Sequence, residues 1–130
     1  MLRKIVVGYD FSDHADDALA WATDLARALG SQVALAHVTE ADSPDNPDVE
    51  ALRHRLAAVA DNVGPEVASH VLVGSDIAET IVRFADQIDA DAIVVGTRGL
   101  GSVARLFLGS VADGVLRKAA CPVITFRHED

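Results

Sequence analysis

The chain has 130 residues, a formal net charge of −9, half its residues hydrophobic and a single cysteine. That length suits one compact domain, residues 1–130, which buries roughly two-thirds of its unfolded surface and needs neither metal nor disulfide to hold a core. The acidic surface argues against nucleic acid and anionic lipid as partners. The longest apolar runs are strand-sized, too short to span a membrane. One unpaired cysteine, Cys121, and the interruption of the first apolar run at Asp10 lead to the expectation of a cytoplasmic protein.

In chain order, residues 4–9 form a β-branched run without alternation, as expected of a strand buried on both faces. Ser12 is placed to cap a helix whose first turns carry Asp13, Asp16 and Asp17, and Ala15, Ala18, Leu19, Ala22, Ala26 and Leu29 recur at helical spacing before Gly30 ends it. Residues 33–38 read as a second strand. The stretch holding Pro44 and Pro47 reads as a loop. Val49, Leu52, Leu56, Val59, Ala60 and Val63 then trace a helix stopped by Gly64-Pro65. Residues 67–73 are strand-like but mixed in polarity, which predicts a sheet edge. Ile77, Ile81, Ala85 and Ile88 mark one face of a third helix, residues 92–95 a very apolar strand, residues 110–119 a fourth helix, and residues 122–126 a last strand that Pro122 can only open. Strands alternating with helices predict an α/β fold, an open five-stranded parallel sheet covered on both faces. Ligands of such sheets sit at the carboxyl ends of the strands, where the strand order reverses.

The charge is unevenly placed. Residues 1–91 carry 6 basic and 17 acidic side chains, whereas residues 92–128 carry Arg98, Arg105, Arg117, Lys118 and Arg127 against Asp113 alone. This positive segment holds Gly96-Thr97-Arg98-Gly99-Leu100-Gly101-Ser102 and then Gly109-Ser110 at the start of the last helix. Glycines at a strand end and a helix start let backbone N–H groups approach an anion, and the helix dipole favours it there. The pattern is G-x2-G-x9-G-S, which is neither a Walker loop nor the dinucleotide fingerprint.

Gly96-x2-Gly99-x9-Gly109-Ser110 resembles the nucleotide-binding motif of the universal stress protein family. The runs 5–12, 35–38, 93–99 and 121–124 resemble further landmarks of that family in the same order, across essentially the whole chain. The resemblance implies a Rossmann-like sheet of the adenine nucleotide alpha hydrolase kind, and membership of the subgroup that binds ATP; the choice among ATP, ADP and AMP stays open, and the charge of the phosphates leads to the expectation of Mg2+ accompanying the nucleotide. Carried over by residue, it puts Asp10 at the ribose or adenine end, the main chain of Val38 at the adenine edge, and Val95 in the pocket lining. Gly96 and Gly99 would hold ribose and phosphate, and Gly109, Ser110 and the amide of Val111 the phosphate tail. Arg98, from its place in the positive segment and not from the resemblance, is a candidate phosphate contact. The resemblance also implies a homodimer paired through the last strand, Val123 to Arg127. Position 8 is glycine where some nucleotide-binding relatives have proline, and the loop at 39–47 is short for the family.

Plainer readings stand beside these. Asp10 can end strand 1 and join Ser12 in a turn, Arg98 and Arg105 can be solvated charges, and Trp21 and Cys121 can be packing residues. His14, His37, His54, His70 and His128 show no metal-ligand spacing, so no structural metal is expected. Ser12, Asp10 and His14 have the residue types of a triad but cluster on one turn, which cannot give triad geometry. Between Gly96 and Asp113 there is no lysine and Asp113 is the only carboxylate, a poor set for efficient phosphoryl transfer. Three functions therefore remain: a nucleotide-dependent regulatory or stress-survival factor, a slow ATPase or phosphotransferase, and a nucleotide-free dimeric interaction module.

Overall fold

The computed structural model describes residues 2–97 and 109–127. Five strands, β1 (Lys4–Gly8), β2 (Gln32–Thr39), β3 (Val67–Val73), β4 (Ala92–Gly96) and β5 (Val123–Phe126), alternate with four helices, α1 (Asp13–Leu29), α2 (Pro47–Val63), α3 (Ile77–Gln87) and α4 (Ser110–Lys118). The sheet order is β3-β2-β1-β4-β5, and all four pairings are parallel. β3 lies at an edge, as its mixed polarity predicts.

Side chains alternate across the sheet. Ile5, Val7, Leu35 and Val94 point to one face, where they meet Ala15, Ala18, Leu19, Ala22 and Ala26 of α1 and Leu56 and Ala60 of α2. Val6, Ala36, Ile93 and Val95 point to the other, against Ala78, Ile81, Phe84 and Ala85 of α3 and Ala112 and Val115 of α4. The sheet interior is therefore apolar on both sides, which accounts for the unalternating runs of β1 and β4.

Local chemistry sets the element ends. Ser12 Oγ accepts from the Ala15 amide at 3.1 Å and caps α1, and Gly30 closes it at φ 71°. Asn46 caps α2 through the Asp48 amide at 2.8 Å. Pro47 is the first residue of α2 and not part of the preceding loop, a correction with a simple cause: its fixed φ and missing N–H suit the first helical position. Asp76 caps α3 through the Glu79 amide at 3.0 Å. Ile77, which shares its helical spacing with Ile81, Ala85 and Ile88, is 46% exposed. It is the first residue of α3, whereas Ile81 and Ala85 are buried, together with Ala78, Val82 and Phe84. Trp21 is only partly a packing residue, 39% exposed with its ring 6.0 Å from that of Phe126. Cys121 is half-buried against the α3–α4 core, and burial pushes its thiol pKa up.

Candidate functional site

β1 lies between β2 and β4, so the chain leaves β1 in one direction along the sheet and returns to its other side after β3. A crevice opens where the order reverses, at the carboxyl ends of these strands. It encloses about 330 Å³. Asp10, Val38, Val95, Gly96, Gly109, Ser110 and Val111 all line it; Arg98, Arg105 and Gly99 lie outside the described residues. The lining also includes Tyr9, His37, Ile77, Ile81 and Thr97, none of which was singled out as a site residue from sequence. Ile77 carried a usable signal, a large aliphatic residue immediately after a helix cap.

Gly8 forms part of the floor. A Cβ there would lie 3.0 Å from Val95 Cγ1 and 3.1 Å from Ile81 Cδ1, so glycine lets the end of β1 lie flush against neighbouring side chains. Asp10 does join Ser12 in a turn: its Oδ1 accepts from the Ser12 amide at 3.0 Å and from the Ser12 hydroxyl. The same carboxylate lines the crevice, so the turn and the wall are one structure. Ser12 Oγ is engaged in this turn and in capping α1. His37 Nδ1 donates to the Tyr9 carbonyl at 2.8 Å, which ties β2 to the end of β1. The Tyr9 hydroxyl donates to Asp16 at 2.5 Å; burial first, and then this carboxylate, raises the phenol pKa well above its ordinary value.

The opposite wall is the start of α4. Gly109 is its N-cap at φ −64° and ψ 161° and supplies no side chain. Its amide donates to the Thr97 carbonyl at 2.6 Å, and the Thr97 amide donates to Phe126 at 2.9 Å, so the helix start is tied to β4 and β5. The next three amides, of Ser110, Val111 and Ala112, are those an α-helix leaves without an intrahelical acceptor. Together with the dipole they make an anion-favouring wall. Asp113 pairs with Arg117 at 3.0 Å, along the helix. The crevice thus combines an anion-favouring helix start, a carboxylate suited to accepting from hydroxyls, and an apolar stretch of Val38, Ile77, Ile81 and Val95.

A larger hollow of about 830 Å³ runs between α1 and α2, lined by side chains such as Asp16, Thr23, Arg27 and Arg55. It is open to solvent, and of the described helix starts only Asp16, an anionic side chain in the first turn of α1, contributes to its lining. Convergent backbone donors, rather than volume, distinguish the crevice at the strand ends.

The model of the universal stress protein family matches residues 1–127. A universal stress protein from Thermus aquaticus is 38% identical over 138 residues, covering 98% of this chain and all of its own. Among solved structures, the universal stress protein from Archaeoglobus fulgidus in complex with dAMP is 34% identical with a TM-score of 0.75, covering 96% of this chain and 98% of its own. A universal stress protein in complex with cAMP is 28% identical with a TM-score of 0.74, covering 97% of both chains. No described helix is long and apolar enough to cross a membrane. Sequence and architecture agree: the chain belongs to the universal stress protein family.

Proposed function

We propose that the crevice binds an adenine nucleotide, ATP or its products ADP and AMP, and that the protein is a nucleotide-dependent regulatory or stress-survival factor of the cytoplasm. The observation that carries this reading is the pairing, across one crevice, of the Asp10 carboxylate with the unoccupied-by-side-chain start of α4. Phosphates at the Ser110, Val111 and Ala112 amides and hydroxyls at Asp10 give each group its fitting partner. Val38, Ile77, Ile81 and Val95 are apolar surface for a base. Relatives whose structures hold dAMP and cAMP support the adenine class.

Among the described lining residues Asp10 alone carries a carboxylate, and its Oδ1 serves Ser12. The protein therefore offers Mg2+ little of its own, and the ion would be held mainly by the phosphates. Asp113, the other acidic residue of the segment, is paired with Arg117. Neither residue is arranged for the metal-holding and nucleophile-orienting work of efficient phosphoryl transfer. Pairing of two copies through β5, an edge strand ending at Phe126 with Arg127 beyond it, is the assembly this reading expects.

Calorimetric titration of the wild type and Ser110→Glu with ATP·Mg2+ tests the site. Ser110 is exposed, and a glutamate in the first turn suits the helix dipole, so folding is preserved while phosphate is repelled. Wild-type binding at one site per chain, lost in Ser110→Glu, is expected. A wild type that binds no adenine nucleotide, or equal binding by both proteins, would contradict the reading.

A further inference from the structure

The turn that brings Asp10 to the crevice contains a backbone conformation that a bulky residue rarely adopts. Phe11 sits at φ 62°, in the left-handed region where a Cβ crowds the following carbonyl and glycine is the ordinary choice. Such a conformation persists only where the surroundings hold it. Here the ring does so. It meets Tyr9 edge to face with centroids 5.0 Å apart and His37 at 4.9 Å, and the Arg55 guanidinium carbon lies 3.9 Å from its centroid. Tyr9 and His37 line the crevice, whereas Arg55 comes from α2, which contributes no described lining residue. On either side of Phe11 the chain is fixed by hydrogen bonds of its amides: the Tyr9 amide donates to the Ala36 carbonyl at 2.8 Å, and the Ser12 amide to the Asp10 carboxylate Oδ1 at 3.0 Å.

We infer that Phe11 is a positioning residue of the nucleotide site: its ring, held among Tyr9, His37 and Arg55, locks the left-handed turn that presents the Asp10 carboxylate to the ligand's hydroxyls. The inference rests on the nucleotide reading above. A turn needing only φ near 60° is served by glycine at no steric cost. The ring adds order. With glycine, residues 10–12 gain many further conformations, and binding must then select the one that aims Asp10. Through the Arg55 contact, nucleotide affinity depends on α2, a helix outside the crevice.

The test is calorimetric titration with AMP of the wild type, Phe11→Gly, Phe11→Tyr, Arg55→Ala, Asp10→Asn and the Phe11→Gly/Asp10→Asn double variant, each checked for cooperative melting. Phe11→Gly is expected to bind about tenfold more weakly, the size of losing a hydrogen bond to a charged group. Phe11→Tyr keeps the ring and restores affinity, and Arg55→Ala gives a smaller loss. If Phe11 acts through Asp10, the double variant loses little beyond the weaker single variant. Wild-type affinity in Phe11→Gly, or single losses that multiply fully in the double variant, would overturn the inference. Should Phe11→Gly not fold, exposed Arg55→Ala decides, and unchanged affinity there overturns it. A wild type that binds neither AMP nor ATP·Mg2+ removes the nucleotide reading and the inference together; a binding wild type with unaffected variants removes the inference alone.

Discussion

Gly114 on α4 faces Ala78 on α3, and a Cβ on Gly114 would lie 2.6 Å from Ala78 Cβ. Carbon atoms settle at about 3.5–4.0 Å, so Gly114→Ala requires the two helices to part by about 1 Å at this point. On an open helix surface the same substitution gains about 1 kcal/mol from helix propensity. Overpacking a well-filled contact costs about 1–3 kcal/mol. The contact wins here, with a net loss of up to about 2 kcal/mol. The same displacement shifts the first turn of α4, where Ser110, Val111 and Ala112 line the crevice, so nucleotide affinity falls with stability. Urea denaturation of the wild type, Gly114→Ala, Ala78→Gly and the double variant measures both the size and the cause. In the Ala78→Gly background the clash is absent, and Gly114→Ala should become stabilising. A single Gly114→Ala variant more stable than the wild type by the propensity increment would refute the close-contact reasoning.

Tyr9 is the only tyrosine of the chain, so its phenolate absorbance reports it alone. Burial and the Asp16 carboxylate raise its pKa in the fold above the ordinary 10.0; the folded protein then keeps a proton that the unfolded chain loses, and stability falls as pH rises beyond about 10. The folded chain should show no phenolate at pH values where the urea-unfolded chain does, and Tyr9→Phe should abolish this part of the alkaline loss; coincident titration of folded and unfolded chains would contradict it. Ile77→Ser removes exposed apolar surface at the crevice mouth, so denaturation midpoints should stay within experimental scatter while AMP affinity drops about fivefold to tenfold, as for loss of about 1 kcal/mol or slightly more of base contact. Equal affinity would place the base elsewhere.

The legible parts of the fold were those in which one physical requirement acts alone. β1 and β4 are buried on both faces, so 5–7 and 92–95 carry uninterrupted apolar side chains that announce a central parallel strand. Ser12 and Gly30 bound α1 because an orphan amide and a left-handed residue each have few solutions. At Pro47 and Ile77 two requirements share a position, so sequence alone does not settle the outcome. Proline suits both a loop and a first helical turn, and an aliphatic residue at helical spacing suits both a core and a ligand-facing rim. Of the site, Asp10, Val38, Val95 and the start of α4 could be named through a motif; His37, Thr97 and Phe11 could not, because their parts depend on contacts across the sheet. The Gly109 amide is an instructive example. Glycine at a helix start signals close approach of backbone to a partner, yet only the fold shows that this amide meets the Thr97 carbonyl at 2.6 Å, leaving the next amides to face the crevice.

The most direct measurement is an amide-resolved NMR titration of the isotope-labelled protein with AMP and with ATP·Mg2+. A nucleotide seated at the strand ends perturbs the amides of Gly8 to Asp10, His37, Val38, Gly96, Thr97 and Ser110 to Ala112, the residues that line the crevice. Shifts confined to Leu19, Thr23, Val59 and Val63, in the hollow between α1 and α2, or no shifts at saturating nucleotide, would contradict the assignment of the site.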